Sequence, residues 1–177
     1  MFLSLVQKRR SIRRYLEKPV ETEKIDSLIE SALRSPSSKG LNPWELIVVK
    51  DKNLLEKLSK AKPHGASFLK NAPLGIVVCA DPSKCDVWVE DASIASIFLH
   101  LAAASMGLGS CWIQMRKRMY DQTKTSQEYL RELLKIPENF NVESIVAIGY
   151  PAESKPSHKK ESLPYDKIHF DFFGQRK

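Results

Sequence analysis

Apolar positions along the 177-residue chain fall into segments with distinct periods. Phe2, Leu5 and Val6 mark one side of a short helix over residues 2–10, and Pro19 closes the extended connection after it. Ile25, Leu28, Ile29, Ala32 and Leu33 recur at the three-and-four spacing of an amphipathic helix, with Glu23 and Glu30 opposite and Pro36 as its stop. Residues 45–50 predict a short strand, and Asp51 can cap a helix carrying Leu54, Leu55 and Leu58. Residues 62–72 have no clear period. The uninterrupted apolar run 74–80 predicts a strand covered on both faces.

The longest helical stretch is 86–106, where Val89, Ala92, Ile94, Ala95, Ile97, Phe98, Leu101, Ala102 and Ala103 leave little polar circumference. Such a helix is expected to be buried, in the centre of the domain or against a second copy. Gly107 and Gly109 end it, and 110–114 resumes in extended form. A helix from Ser126 carries Tyr129, Leu130, Leu133 and Leu134 and stops at Pro137; 142–150 is the last strand. A basic extended tail follows over 151–160. Beyond it, Leu163, Tyr165, Ile168, Phe170, Phe172 and Phe173 in a coil-like end call for a surface to pack on, a neighbouring subunit included.

This length and a hydrophobic content of 42% suffice for one buried core, so a single domain over 1–177 is expected, with 161–177 an extended tail on a partner subunit. The apolar start is too short for a secretory signal, and no segment approaches the ~18 apolar residues of a membrane span. A cytoplasmic protein without membrane contact is expected. Cys79, Cys85 and Cys111 lack the spacing of a redox or zinc pair, and the four histidines form no metal pattern. The net charge of +7 would suit nucleic acid, but the cations are spread along the chain and aromatic residues do not interleave with them. An anionic small ligand is favoured over nucleic acid.

The densest chemistry lies in Lys8-Arg-Arg-Ser-Ile-Arg-Arg-Tyr15, five cations and a hydroxyl in eight residues. Guanidinium forks match phosphate oxygens, so such a run can hold a phosphoryl group; a solvated basic face is the alternative. Ser35-Pro-Ser-Ser-Lys-Gly-Leu-Asn-Pro-Trp44 is a loop rich in donors that leads straight into a strand.

These elements have a telling order: the basic run, an amphipathic helix, the Ser-Pro-Ser-Ser loop, two strands, an Ala-rich helix ending Gly-Leu-Gly-Ser-Cys-Trp-Ile, and a Gly-Tyr-Pro-Ala-Glu turn. In that order the chain, from about Lys8 to Lys160, resembles the nitroreductase family of FMN-dependent oxidoreductases and looks like a short single-domain member. The resemblance implies an α+β fold, a central, mostly antiparallel sheet flanked by helices, in an intertwined homodimer with one FMN in each of two interface clefts. By position, Arg9, Arg10, Ser11 and Arg13 match the family's phosphate and flavin-pyrimidine contacts, and Lys159 and Lys160 the basic residues that close on the phosphate. From the second subunit, Pro36, Ser37, Ser38, Gly40 and Asn42 match the loop over the flavin. Trp112, Ile113, Gln114 and Met115 match the stretch whose backbone faces the ring.

The implied activity is ping-pong transfer of hydride from NADH or NADPH through FMN to nitro compounds, quinones or flavins. Arg13 is the candidate for tuning the ring, and no catalytic side chain or metal is required. Other flavin chemistry on the same fold, non-catalytic flavin binding and, more remotely, nucleic-acid binding are the alternatives. Two departures from the family stand out: Gln114-Met115 replaces a common Glu-Gly, and 65–68 offers only Ser67 as a polar side chain.

Overall fold

The computed structural model describes residues 2–176. Five helices, α1 (Phe2–Lys8), α2 (Thr22–Leu33), α3 (Lys52–Leu58), α4 (Trp88–Ser105) and α5 (Ser126–Leu134), surround strands β1 (Trp44–Val49), β2 (Leu74–Ala80), β3 (Gly109–Gln114) and β4 (Asn141–Gly149). The strands form one sheet in the order β1-β2-β4-β3, with every neighbouring pair antiparallel. The fold is therefore α+β, with a fully antiparallel sheet.

Alternation along the central strands builds two cores. Val77, Cys79, Ile113, Ile145 and Ala147 face Leu55 and Leu58 of α3 and Leu130 of α5. Leu74, Ile76, Val78, Val146 and Ile148 face Ile25 and Leu28 of α2 and Ala92, Ala95, Leu99 and Ala103 of α4. Both faces of β2 are covered, which is why its sequence shows no polar alternation. Asp51 caps α3 by accepting from the Leu54 N–H at 2.7 Å, and Thr125 and Glu128 close a reciprocal cap at the start of α5.

One expectation changes. The first helix ends at Lys8 rather than residue 10, because Arg9 onward is drawn out as a strand-like segment: the Ile12 N–H donates to the Ser110 carbonyl at 3.0 Å and the Leu16 N–H to that of Tyr150 at 2.9 Å. Helix α4 is buried on one side only; Ile97, 42% exposed, and the half-buried Ile94, Phe98 and Leu101 form an uncovered apolar face. The chain after Pro156 also lies outside both cores, with Phe172 and Phe173 at 71% and 94% exposure.

Two strand glycines admit the basic segment. A Cβ on Gly109 would lie 2.8 Å from Ile12, and one on Gly149 would lie 2.5 Å from the Pro73 ring and 3.0 Å from Tyr15. Gly40, by contrast, has open space around it and a φ of +67°. Gly149→Ala is therefore expected to destabilise by about 1–3 kcal/mol through overpacking, and Gly40→Ala by about 1 kcal/mol through backbone strain alone. Urea midpoints of the two variants against the parent measure both.

Candidate active site

The segment carrying Arg9, Arg10, Ser11 and Arg13 runs between the start of β3 and the turn after β4. Ser11 pairs in parallel with Ser110, and Tyr15 pairs with Pro151. Glu153 accepts from the Arg13 and Arg14 N–H groups at 2.6 and 3.2 Å, holding the backbone of the run while leaving its guanidinium groups free to turn outward. Tyr15 anchors it below, its buried hydroxyl donating to the Ile12 carbonyl at 2.6 Å.

A cleft of about 450 Å³ opens beside the run, lined by Lys8, Arg9, Arg10, Gly109, Ser110 and Lys155 among others. Lys155 donates to the Ser11 carbonyl at 2.8 Å and lies 3.4 Å from Glu153. Arg10 donates to the Pro156 carbonyl, whereas the Arg9 side chain has no hydrogen bond or ion pair among the described residues. Lys159 and Lys160 sit further out on the exposed tail, so the tail cation set against the run is Lys155, which sequence reading had passed over.

Beyond Ser110, β3 is an edge strand, and two cations flank that edge. Arg13 lies with its guanidinium carbon 5.8 Å from the centre of the Phe68 ring. Lys62 donates to the Gln114 carbonyl at 3.0 Å; burial, then the charge of Arg118, holds its ammonium below the usual lysine range. Nothing periodic in 62–72 had marked this lysine. Ile113 and Met115 turn their side chains into the core, and the Met115 N–H donates inward to the Glu143 carbonyl at 3.1 Å. Trp112 and Gln114 are half-buried on the other side, joined by a 2.9 Å bond from the indole N–H to Gln114 Oε1.

The loop residues Pro36, Ser37, Ser38, Gly40 and Asn42 form a separate group. Ser37 and Asn42 bond each other, Oγ to Oδ1 at 2.7 Å and Asn42 N–H to Ser37 Oγ at 3.0 Å, and Lys39, Gly40 and Asn42 all take positive φ. Asp91, buried on α4, accepts from the Ser38 N–H at 2.9 Å and from the Cys85 thiol at 3.4 Å, pinning the loop. The loop enters β1 at one edge of the sheet, while the basic run borders β3 at the other. By register the two groups also sit at opposite ends of the strands, roughly 20 Å apart along them and roughly 14 Å across. One chain thus holds two half-sites at diagonal corners.

Three buried polar residues escaped sequence reading: Asp91, His100 and Glu143. Their signal was an ionisable residue within a largely apolar element, which fits a core position equally well. His100 on α4 shares a 2.7 Å hydrogen bond with the Ser110 hydroxyl, under the basic run. Burial, aided by the Arg9 charge, pushes its imidazole down to about 4.

The donor set fits a phosphorylated aromatic ligand: Arg9 with Lys8, Arg10 and Lys155 around a cleft suit a phosphate, and the edge backbone of β3 between Arg13 and Lys62 suits a flat polar ring. Fold and site together define an α+β protein with a cationic cradle at a sheet edge. The nitroreductase family model matches residues 6–150. An FMN-dependent nitroreductase from Clostridium difficile R20291 superposes with a TM-score of 0.95 at 50% identity, covering 97% of this chain and 99% of that one. An Archaeoglobus fulgidus protein, provisionally named NADH dehydrogenase/NAD(P)H nitroreductase, is 38% identical over 94% of this chain and 95% of its own length. An FMN reductase [NAD(P)H] of Bacillus subtilis is 29% identical over 90% of this chain and 68% of its own. The chain belongs to the nitroreductase family.

His100 makes acid stability a test of this core. Its folded value lies below the ordinary 6.5, so the stability gained by keeping it neutral is present above about pH 6.5 and lost as pH falls toward 4, on the order of 3 kcal/mol at most. Denaturation at pH 7 and 4.5 is expected to show that drop in the parent and a smaller one in His100→Asn.

Proposed function

We propose that the protein is an FMN-dependent oxidoreductase that takes electrons from NADH or NADPH and delivers them to nitro compounds, quinones or free flavin, working as a homodimer with one FMN in each interface cleft. The whole chain is read as one FMN-binding domain. The observation that carries this reading is the split site: a cationic cradle and a donor-rich loop at diagonal corners of one sheet, which a twofold partner can bring together. The relatives, an FMN-dependent nitroreductase and an FMN reductase [NAD(P)H] by name, support the same cofactor and donors. The exposed apolar side chains of α1, of α4 and of the tail after residue 161 offer the surface such a partner would cover.

FMN, when bound, would supply a ring able to take hydride from reduced nicotinamide and pass electrons to an acceptor, and one cleft serving both would give ping-pong kinetics. The chain supplies binding, orientation and charge. Arg9, Arg10 and Ser11 hold the phosphate with Lys8 and Lys155, and Lys159 and Lys160 add to it from the tail. Arg13 and Lys62 set positive charge beside the ring, where it stabilises the negative charge of the reduced form. Trp112, Ile113, Gln114 and Met115 form the edge against which the ring lies, with Ile113 and Met115 contributing backbone and core support. The partner's Pro36, Ser37, Ser38, Gly40 and Asn42 close over it, held in place by Asp91.

The purified protein is expected to be yellow, to bleach near ~450 nm with NADH or NADPH, and to sediment at twice its 20.1 kDa chain mass. A colourless monomer that takes up no added FMN defeats the proposal, and a yellow protein that no reduced nicotinamide bleaches turns it toward flavin storage. Arg9→Ala is expected to weaken FMN binding about 10- to 150-fold, read by fluorescence titration, through lost charge-assisted hydrogen bonds. Arg13→Ala is expected to lower the flavin's reduction potential as well; spectroelectrochemical titration of the loaded variant checks it.

A further inference from the structure

Glu143 is a charged residue in an internal strand, 3% exposed. The β2–β4 register jumps from Val78 opposite Ser144 to Cys79 opposite Val142, which leaves Glu143 as the extra residue of a bulge. A bulge re-aims a side chain that regular pairing would send elsewhere. Here it brings the carboxyl to the end of β3: Oε1 accepts from Gln114 Nε2 at 3.3 Å, and Oε2 has no hydrogen-bond partner. Arg116 stops short, its Nε 3.9 Å from Oε2, with its guanidinium carbon 5.7 Å from the centre of the Trp88 ring.

The Gln114 side chain is fully committed around this acid. The indole N–H of Trp112 can only donate, so it fixes Oε1 as its acceptor and leaves Nε2 to face the Arg116 carbonyl at 3.2 Å and Glu143. The Glu143 carbonyl receives the N–H groups of both Met115 and Arg116, which ends β3 at this point.

We infer that Glu143 is a positioning residue of the site: its carboxyl fixes the Gln114 amide, and through it Trp112, at the ring-facing end of β3, and that hold tightens when Arg116 is drawn closer to its second oxygen. The assignment of that end to the ring rests on the proposed flavin site; the hydrogen-bond network does not. Two charged groups face the carboxyl. Arg116, from the segment after β3, favours ionisation, and Glu90, from the first turn of α4, opposes it. Burial is the largest influence and lifts the carboxyl above the usual range, against the pull of Gln114 and Arg116. The Gln114 amide and the Arg116 guanidinium both favour the carboxylate, so ionisation at higher pH strengthens the Gln114 bond, draws Arg116 closer and alters the surroundings of both Trp88 and Trp112.

The test follows tryptophan emission of the full-length protein as isolated, between about pH 5 and 9, together with the rate of flavin bleaching by NADH. The parent is expected to show one emission step with a parallel change in rate; Glu143→Gln, which cannot ionise, is expected to lose both. Arg116→Met, which removes the cation that favours ionisation, is expected to move the step to higher pH and keeps the test open if Glu143→Gln does not fold. A parent without a step, a step that survives in Glu143→Gln, or one unmoved in Arg116→Met overturns the inference. A colourless protein would defeat the flavin reading yet leave the emission result standing.

Discussion

The candidate site depends on one backbone contact: the extended segment from Ser11 to Leu16 lying against the start of β3 and the turn after β4. Its N–H groups are taken by the carbonyls of Ser110 and Tyr150 and by the carboxylate of Glu153. Each such bond adds only about 1 kcal/mol net, but together with the burial of Ile12 and Tyr15 they give the segment one register. That register turns Arg9 toward the cleft and Arg13 toward the outer edge of β3. It also requires Gly109 and Gly149, since a methyl group on either would push the segment away.

The same sheet keeps the two halves of the candidate site apart. The basic run borders β3 and the Pro36–Asn42 loop enters β1, at opposite edges and opposite ends. Four antiparallel strands are rigid on this scale, so no hinge within the chain can join the halves. A second copy can, and the uncovered apolar face of α4 and the aromatic tail supply the area to hold it. In the proposed function, cofactor binding and dimer formation are therefore one event rather than two.

Buried polar groups do the local positioning. Asp91 takes an N–H of the loop and thereby ties it to α4; His100 sits under the basic run on Ser110; Glu143 occupies a bulge at the end of β3. Each lies beside one part of the candidate site. The core tolerates their desolvation because each finds a hydrogen-bond partner, and the weakest satisfied of the three is Glu143, whose Oε2 accepts no hydrogen bond.

Period and punctuation in the chain determined the elements: the amphipathic stripe of α2, the two-sided burial of β2, the cap at Asp51 and the stops at Pro36 and Pro137 are local signals, read over a few residues. The order of motifs along the chain determined the family, and the basic run was legible as a phosphate candidate because its charge density is local too. What the tertiary structure alone decided is who meets whom. Lys62 reaches Gln114, Lys155 rather than a later lysine meets Ser11, Asp91 holds Ser38, and Glu143 is turned by a bulge toward Gln114. These pairs are separated by 29 to 144 residues, and no periodicity encodes such a distance. Long-range pairing follows from how strands register and helices cover them, which is a property of the whole packed chain.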